Sequence, residues 1–179
     1  MNIIVTGAIG IGKTTVCEKV INIVQSLGCS CAGILTYKAP DNSLVILDIK
    51  TGKKKILASI DAIYNGPRTP KYFFNTEAIN FGIKAMDKGA DSDVLVVDEI
   101  GYLELGGEGF VKRLELIKEG KVRNSILVIR KELLSTFLAQ LGDKPSIFES
   151  NVDTSDQLPQ HICSSLIGSL PGVSFEKNE

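Results

Sequence analysis

The chain has 179 residues, 44% of them hydrophobic and 23% charged, with a formal net charge of −1. That composition fits one ordinary folded domain and excludes a disordered or coiled-coil chain. No basic block exceeds Lys53-Lys54-Lys55, which argues against nucleic acid as a partner, and no apolar run reaches the length of a membrane span.

"MNIIVTG" lacks the basic and apolar regions of a signal peptide, so a cytoplasmic protein without membrane contact is expected. Residues 1–170 are read as a single domain and 171–179 as a C-terminal tail, ending in "EKNE". A monomer is the favoured state.

In chain order, Asn2 to Thr6 is a short run rich in β-branched residues and predicts a strand. After a glycine loop, apolar positions at Val16, Val20, Ile23, Val24 and Leu27 predict a helix. "CAGILTY" and "SLVILDI" flank a turn at Ala39-Pro40-Asp41-Asn42, and Thr51-Gly52 precedes "KKKILAS". These predict antiparallel hairpins. "NGPRTPKYF" reads as a loop, and the following "NTEAINFGIKAMDKG" as a helix capped by Asn75 or Thr76.

"DVLVVDEIG" is a continuous apolar run ending in two carboxylates, as expected of a central parallel strand covered on both faces. A helix near 108–119, a buried strand "SILVI", a helix "KELLSTFLAQLG", a short strand "SIFES" and a helix over about 156–168 complete the chain. Alternating strands and helices predict an α/β fold with a mostly parallel central sheet flanked by helices and an antiparallel hairpin insertion.

Four cysteines at 17, 29, 31 and 163 lack the spacing of a zinc site, and we expect buried or half-buried thiols. His161, the single histidine, falls at a surface or boundary position of the last helix. A Ser-His or Cys-His catalytic pair is therefore disfavoured.

The chemistry concentrates in Gly7-Ala8-Ile9-Gly10-Ile11-Gly12-Lys13-Thr14, followed by Thr15, which fits G-x-x-x-x-G-K-[ST] without a mismatch. Glycines let the backbone curl its N–H groups around a phosphate, and the following helix points its positive end at the same anion. Lys13 supplies a charge for the β and γ phosphates, and the Thr14 hydroxyl is a hard ligand suited to Mg²⁺. The loop lies between a predicted strand and a predicted helix, as this mechanism requires.

The second half of such a site is an acid at the tip of a neighbouring strand, and "VLVVDE" supplies Asp98 and Glu99. Asp98 is read as the Mg²⁺ ligand, directly or through water, and Glu99 as the group that polarises an attacking water. Glu104 is a supporting group, an alternative base or an exposed side chain. Asp98 and Gly101 also make a D-x-x-G pattern, with the Gly101 N–H directed to a γ-phosphate, but the guanine-reading N-K-x-D motif is absent. Of the arginines at 68, 113, 123 and 130, Arg68 and Arg130 are the better placed to meet developing phosphoryl charge.

The succession "GAIGIGKTT", "AGILTYK", "LDIKTGKKKILA", "GPRTPKY" and "VLVVDEIGYLEL" resembles the THEP1-type nucleoside-triphosphatases of archaea, thermophilic bacteria and animals. The resemblance runs closely to about residue 110 and more loosely to about 168. It implies a single-domain P-loop protein that slowly hydrolyses nucleoside triphosphates with Mg²⁺ and little base preference. It also implies that residues 7–14 bind the phosphates. Val94, Leu95, Val96, Val97, Asp98, Glu99, Ile100 and Gly101 would form the second nucleotide-contacting segment, with the hairpins between 29 and 60 inserted beside the site. Where that family usually has lysine and methionine after D-E-I-G, this chain has Tyr102 and Leu103. In place of its Asn-Arg pair near the C-terminus stands Thr154-Ser155-Asp156.

The leading expectation is thus an enzyme cleaving the γ-phosphate of ATP, GTP, CTP and UTP. A small-molecule or nucleotide kinase, its acceptor pocket built by residues 29–75, is the runner-up. A nucleotide-dependent interaction protein is the third reading.

Overall fold

The computed structural model describes residues 1–141, 144–152 and 156–173. Eight strands form one sheet: β1 (Asn2–Gly7), β2 (Cys31–Lys38), β3 (Leu44–Asp48), β4 (Lys54–Ser59), β5 (Phe73–Phe74), β6 (Val94–Ile100), β7 (Ser125–Arg130) and β8 (Ser146–Glu149). Their spatial order is β5-β4-β3-β2-β6-β7-β1-β8. The β1–β7, β1–β8, β2–β6 and β6–β7 pairs are parallel. The β2–β3, β3–β4 and β4–β5 pairs are antiparallel. The expected hairpins are therefore continuous with the main sheet, and β2 belongs to both parts.

Side chains alternate between the faces of a strand, and this alternation splits the core into two layers. Ile3, Val5, Val94, Val96, Ile126 and Val128 point to one face, where they meet Val16, Val20 and Val24 of α1 (Lys13–Ser26) and Ile162 and Leu166 of α6 (Leu158–Ile167). Ile4, Leu95, Val97, Leu127 and Ile129 point to the other. There they meet Ile79 and Met86 of α2 (Thr76–Lys88), Leu103 of the short α3 (Tyr102–Leu105), Leu114 of α4 (Val111–Lys118) and Phe137 of α5 (Leu134–Leu141). Strands buried on both faces explain the unbroken apolar runs of β1, β6 and β7.

Asn75 is the helix cap of α2, its side chain accepting from the Glu77 N–H. The loop expected over residues 65–73 also carries part of the two-residue strand β5, and the short helix α3 was not expected. α4 starts at Val111, later than the 108 of the sequence reading, because the Phe110 N–H donates to Glu104 Oε1 and holds the preceding turn outside the helix. All four cysteines are buried free thiols, and His161 lies exposed on α6. Thr154, Ser155 and the closing "EKNE" fall outside the described residues. Asp156 is exposed and pairs with Lys19 at 3.3 Å. Among the described residues, no helix is long and apolar enough to cross a membrane.

Candidate active site

The strands β1, β2, β6 and β7 end on the same edge of the sheet, where ligands of open α/β folds bind. The turn from β1 into α1 occupies this edge. Gly12 sits at the helix cap with φ 90°, a left-handed conformation that side chains avoid. Gly7 has φ 145°, and a Cβ there would come within 2.6 Å of the Ser150 carbonyl oxygen just past β8. Glycine at position 7 thus lets the loop pass close under the end of β8.

The first turn of α1 carries no acidic residue and no side-chain cap. Its leading N–H groups and the positive end of the helix dipole are therefore left for an external anion. Lys13 is 7% exposed, and its ammonium donates to the carbonyls of Gly7 at 3.1 Å and Ala8 at 2.8 Å. Ile9 and Thr15 are exposed on the rim.

Thr14 Oγ1 donates to Asp98 Oδ2 at 2.7 Å, joining the loop to the tip of β6. Asp98 is 1% exposed. Desolvation pushes its carboxyl up to about 7 and the Glu99 charge adds to this, while the Thr14 hydroxyl, the Thr36 amide and the Lys13 ammonium pull the other way. Thr36, at the end of β2, donates its hydroxyl to the Asp98 carbonyl at 2.6 Å.

Glu99 lies between two cations, with Lys13 Nζ 3.9 Å from Oε1 and Arg130 Nη2 3.0 Å from Oε2. The β6–β7 register shifts between Val97 and Ile100, so residues 98 and 99 leave the regular ladder at the strand tip.

These groups line a cleft of about 620 Å³ that includes Gly10, Gly12, Lys13, Thr14, Asp98 and Glu99. Lys71, Tyr72, Lys38 and Leu44 close its other side.

Other residues of the expected site have different settings. Val94, Leu95, Val96, Val97 and Ile100 are fully buried in the two core layers, where they build the strand that delivers Asp98. Gly101 donates its N–H to Glu104 Oε2 at 2.8 Å, so that amide is already engaged by a carboxylate. Glu104 is 5% exposed, with Oε1 accepting from the Phe110 N–H, and thus holds the turn after β6 together. The reading of Glu104 as an exposed side chain is corrected accordingly. Of the two arginines, Arg130 reaches Glu99, whereas Arg68 is exposed and is joined to Phe73 by a backbone bridge.

Sequence reasoning missed Thr36, Lys71 and Tyr72. Thr36 carried one usable signal, a hydroxyl residue closing the apolar run of a second buried strand, as Asp98 closes "VLVV".

A family model described as "NTPase" matches residues 2–163. Nucleoside-triphosphatase THEP1 of Methanosarcina barkeri is 30% identical over 168 residues, covering 90% of this chain and 95% of that protein. The crystal structure of THEP1 from the hyperthermophile Aquifex aeolicus superposes with a TM-score of 0.76 at 25% identity, covering 93% of this chain and 99% of that one. The solution structure of a human cancer-related nucleoside triphosphatase shares the fold at a TM-score of 0.75 and 17% identity, over 94% of this chain and 98% of that one. With a phosphate loop, two acids at a strand tip and full-length matches of this kind, the chain belongs to the THEP1-type nucleoside-triphosphatase family of P-loop hydrolases.

Proposed function

We propose that this chain removes the γ-phosphate of ATP, GTP, CTP and UTP in a Mg²⁺-dependent reaction with little preference for the base. The observation that carries this reading is the setting of Glu99, between Lys13 and Arg130 and one residue beyond an acid bonded to Thr14.

In the reaction, a water oxygen bonds to the γ-phosphorus and its proton passes to a Glu99 carboxylate oxygen. The bond from phosphorus to the β–γ bridging oxygen breaks, and the diphosphate leaves with the electron pair. Lys13 and the N–H groups at the start of α1 hold the phosphate oxygens on which charge gathers. Arg130 orients Glu99 and places a second cation beside the transferred group.

Thr14 and Asp98 suit a hard divalent ion. They set a hydroxyl and a carboxylate oxygen 2.7 Å apart, and the buried carboxylate forms no salt bridge among the described residues. Mg²⁺ held by these two residues would supply positive charge to the phosphates during the reaction. Breadth towards the base is supported by the missing N-K-x-D motif and by the family.

The test is phosphate release from the four ribonucleoside triphosphates, with Mg²⁺ and with EDTA. Release from all four, abolished by EDTA, is expected. A folded protein that releases none overturns the reading, and release from one base alone overturns its breadth.

A further inference from the structure

A second cavity, of about 340 Å³, opens beside the phosphate cleft on the α2 face of the sheet. The two hollows share Glu99 and Arg130 in their walls. Much of the remaining wall is apolar, with Leu57, Phe74, Ile79, Leu103 and Phe110, all members of the core layer under α2. Protein interiors are close-packed, so a hollow left inside such a layer and open towards reactive groups calls for an occupant.

The position of this hollow relative to the triphosphate limits what that occupant is. In a loop of this type the amides take the inner phosphates, while the lysine reaches the β and γ phosphates. Glu99 lies 3.9 Å from the Lys13 ammonium and so marks the γ end. The nucleoside hangs from the other end of the triphosphate, so a molecule in the second cavity faces the γ-phosphorus rather than the base.

A hydrolase needs room there for one water, roughly 30 Å³, whereas the hollow holds about ten times that and its walls are largely carbon. Tyr72 and Phe74 meet edge to face, with ring centroids 6.4 Å apart, and both border the cavity. Such walls suit a flat ring. Thr69 and Glu104 border this cavity alone, and the polar residues it shares with the phosphate cleft are Thr36, Lys71, Tyr72, Glu99 and Arg130. One of them is Arg130 Nε, a buried donor with no hydrogen-bond partner among the described residues.

We propose that this hollow binds a second substrate, a small ring-bearing alcohol whose hydroxyl faces Glu99 and accepts the γ-phosphoryl group. The hydroxyl proton passes to Glu99, and the alcohol oxygen bonds to the γ-phosphorus. The bond to the β–γ bridging oxygen breaks, and the nucleoside diphosphate leaves with the electron pair. The products are a phosphomonoester and a diphosphate. Hydrolysis is then the same reaction with water in the acceptor's place. The proposal rests on the phosphohydrolase reading of this cleft and adds the chemical class of the acceptor.

The test uses the full chain with γ-labelled ATP and Mg²⁺, and benzyl alcohol and 3-pyridinemethanol as probes. Label is expected in the phosphomonoester as well as in phosphate. In methyl NMR spectra, either alcohol is expected to shift the Leu57 and Ile79 signals. Ile79→Phe, which fills the hollow, is expected to lower the ratio of transfer to hydrolysis about tenfold or more. Thr69→Trp at the cavity rim serves the same purpose should Ile79→Phe melt early by circular dichroism.

Hydrolysis without transfer to either alcohol and without methyl shifts overturns the proposal alone. So does an unchanged ratio in a folded filling variant. A folded wild-type chain that neither hydrolyses nor transfers overturns the phosphohydrolase reading, and this proposal with it.

Discussion

Arg130 Nη2 at the end of β7 donates to Glu99 Oε2 at the tip of β6, at 3.0 Å. The bond spans two neighbouring strands that leave the core side by side, so the sheet itself sets its geometry. Among the described residues, Arg130→Ala leaves Glu99 with the distant Lys13 as its one cationic partner. We expect kcat to fall about 10- to 100-fold with KM little changed, because the lost contact positions a reacting group rather than the nucleotide. Arg130→Lys should recover part of the loss, since one ammonium restores the charge but not the planar fork. Steady-state phosphate release checks this, and a wild-type kcat in Arg130→Ala refutes it.

Lys13→Ala should abolish turnover, because the ammonium is the single side-chain charge supplied by the loop itself. Glu99→Gln should bind nucleotide normally in a calorimetric titration yet hydrolyse about 10²- to 10⁴-fold more slowly, the usual range for removing a positioned proton acceptor. Normal hydrolysis by Glu99→Gln would move the base to Glu104 or to no side chain. The two amide donors that engage Glu104 make that transfer a demanding one.

The residues legible in the sequence were those whose chemistry is written contiguously. The phosphate loop is eight consecutive residues, and Asp98 with Glu99 closes an apolar run that could only be an inner strand. Both depend on local backbone shape, which local sequence dictates. Thr36 was harder to read, because beyond a hydroxyl closing an apolar run its role arises only when β2 pairs with β6. Lys71 and Tyr72 reach the cleft from the "GPRTPKY" loop, whose family resemblance assigned no role to either of them. The fate of Glu104 was hidden for a different reason. A carboxylate three residues after Gly101 reads as exposed or reactive until the turn folds back and presents two N–H groups to it. The hollow is a gap between elements rather than a property of any one of them: part of its wall comes from residues 29–75, where an acceptor pocket was one expectation, and part from Ile79, Leu103 and Phe110.

Thr14 tests the metal assignment separately from the base. Its hydroxyl meets Asp98 at 2.7 Å, and Thr14→Ser keeps that oxygen while Thr14→Ala removes it. The serine variant should remain close to wild type. The alanine variant should need about 10- to 100-fold more Mg²⁺ for half-maximal hydrolysis, the scale on which lost ligand support weakens metal sites. A Mg²⁺ titration of phosphate release at saturating ATP distinguishes the two variants. Equal Mg²⁺ requirements in both would remove Thr14 from the metal site.

Glu104 links the site to stability through pH. Desolvation raises its carboxyl above the ordinary value; the amides of Gly101 and Phe110 oppose the rise, and the nearby Glu99 charge adds to it. In the unfolded chain the group returns to its ordinary value. Between the two values the folded form therefore binds the extra proton. The stability tied to Glu104 is full below the ordinary value and falls as pH rises through the raised one. Glu104→Gln has no such proton. The melting temperature of the wild type minus that of Glu104→Gln should thus be larger near pH 4 than near pH 7.5. Thermal melts of both proteins across that interval check the sign. A difference that grows with pH would mean that the two amide bonds outweigh burial and that the carboxylate is favoured in its charged form.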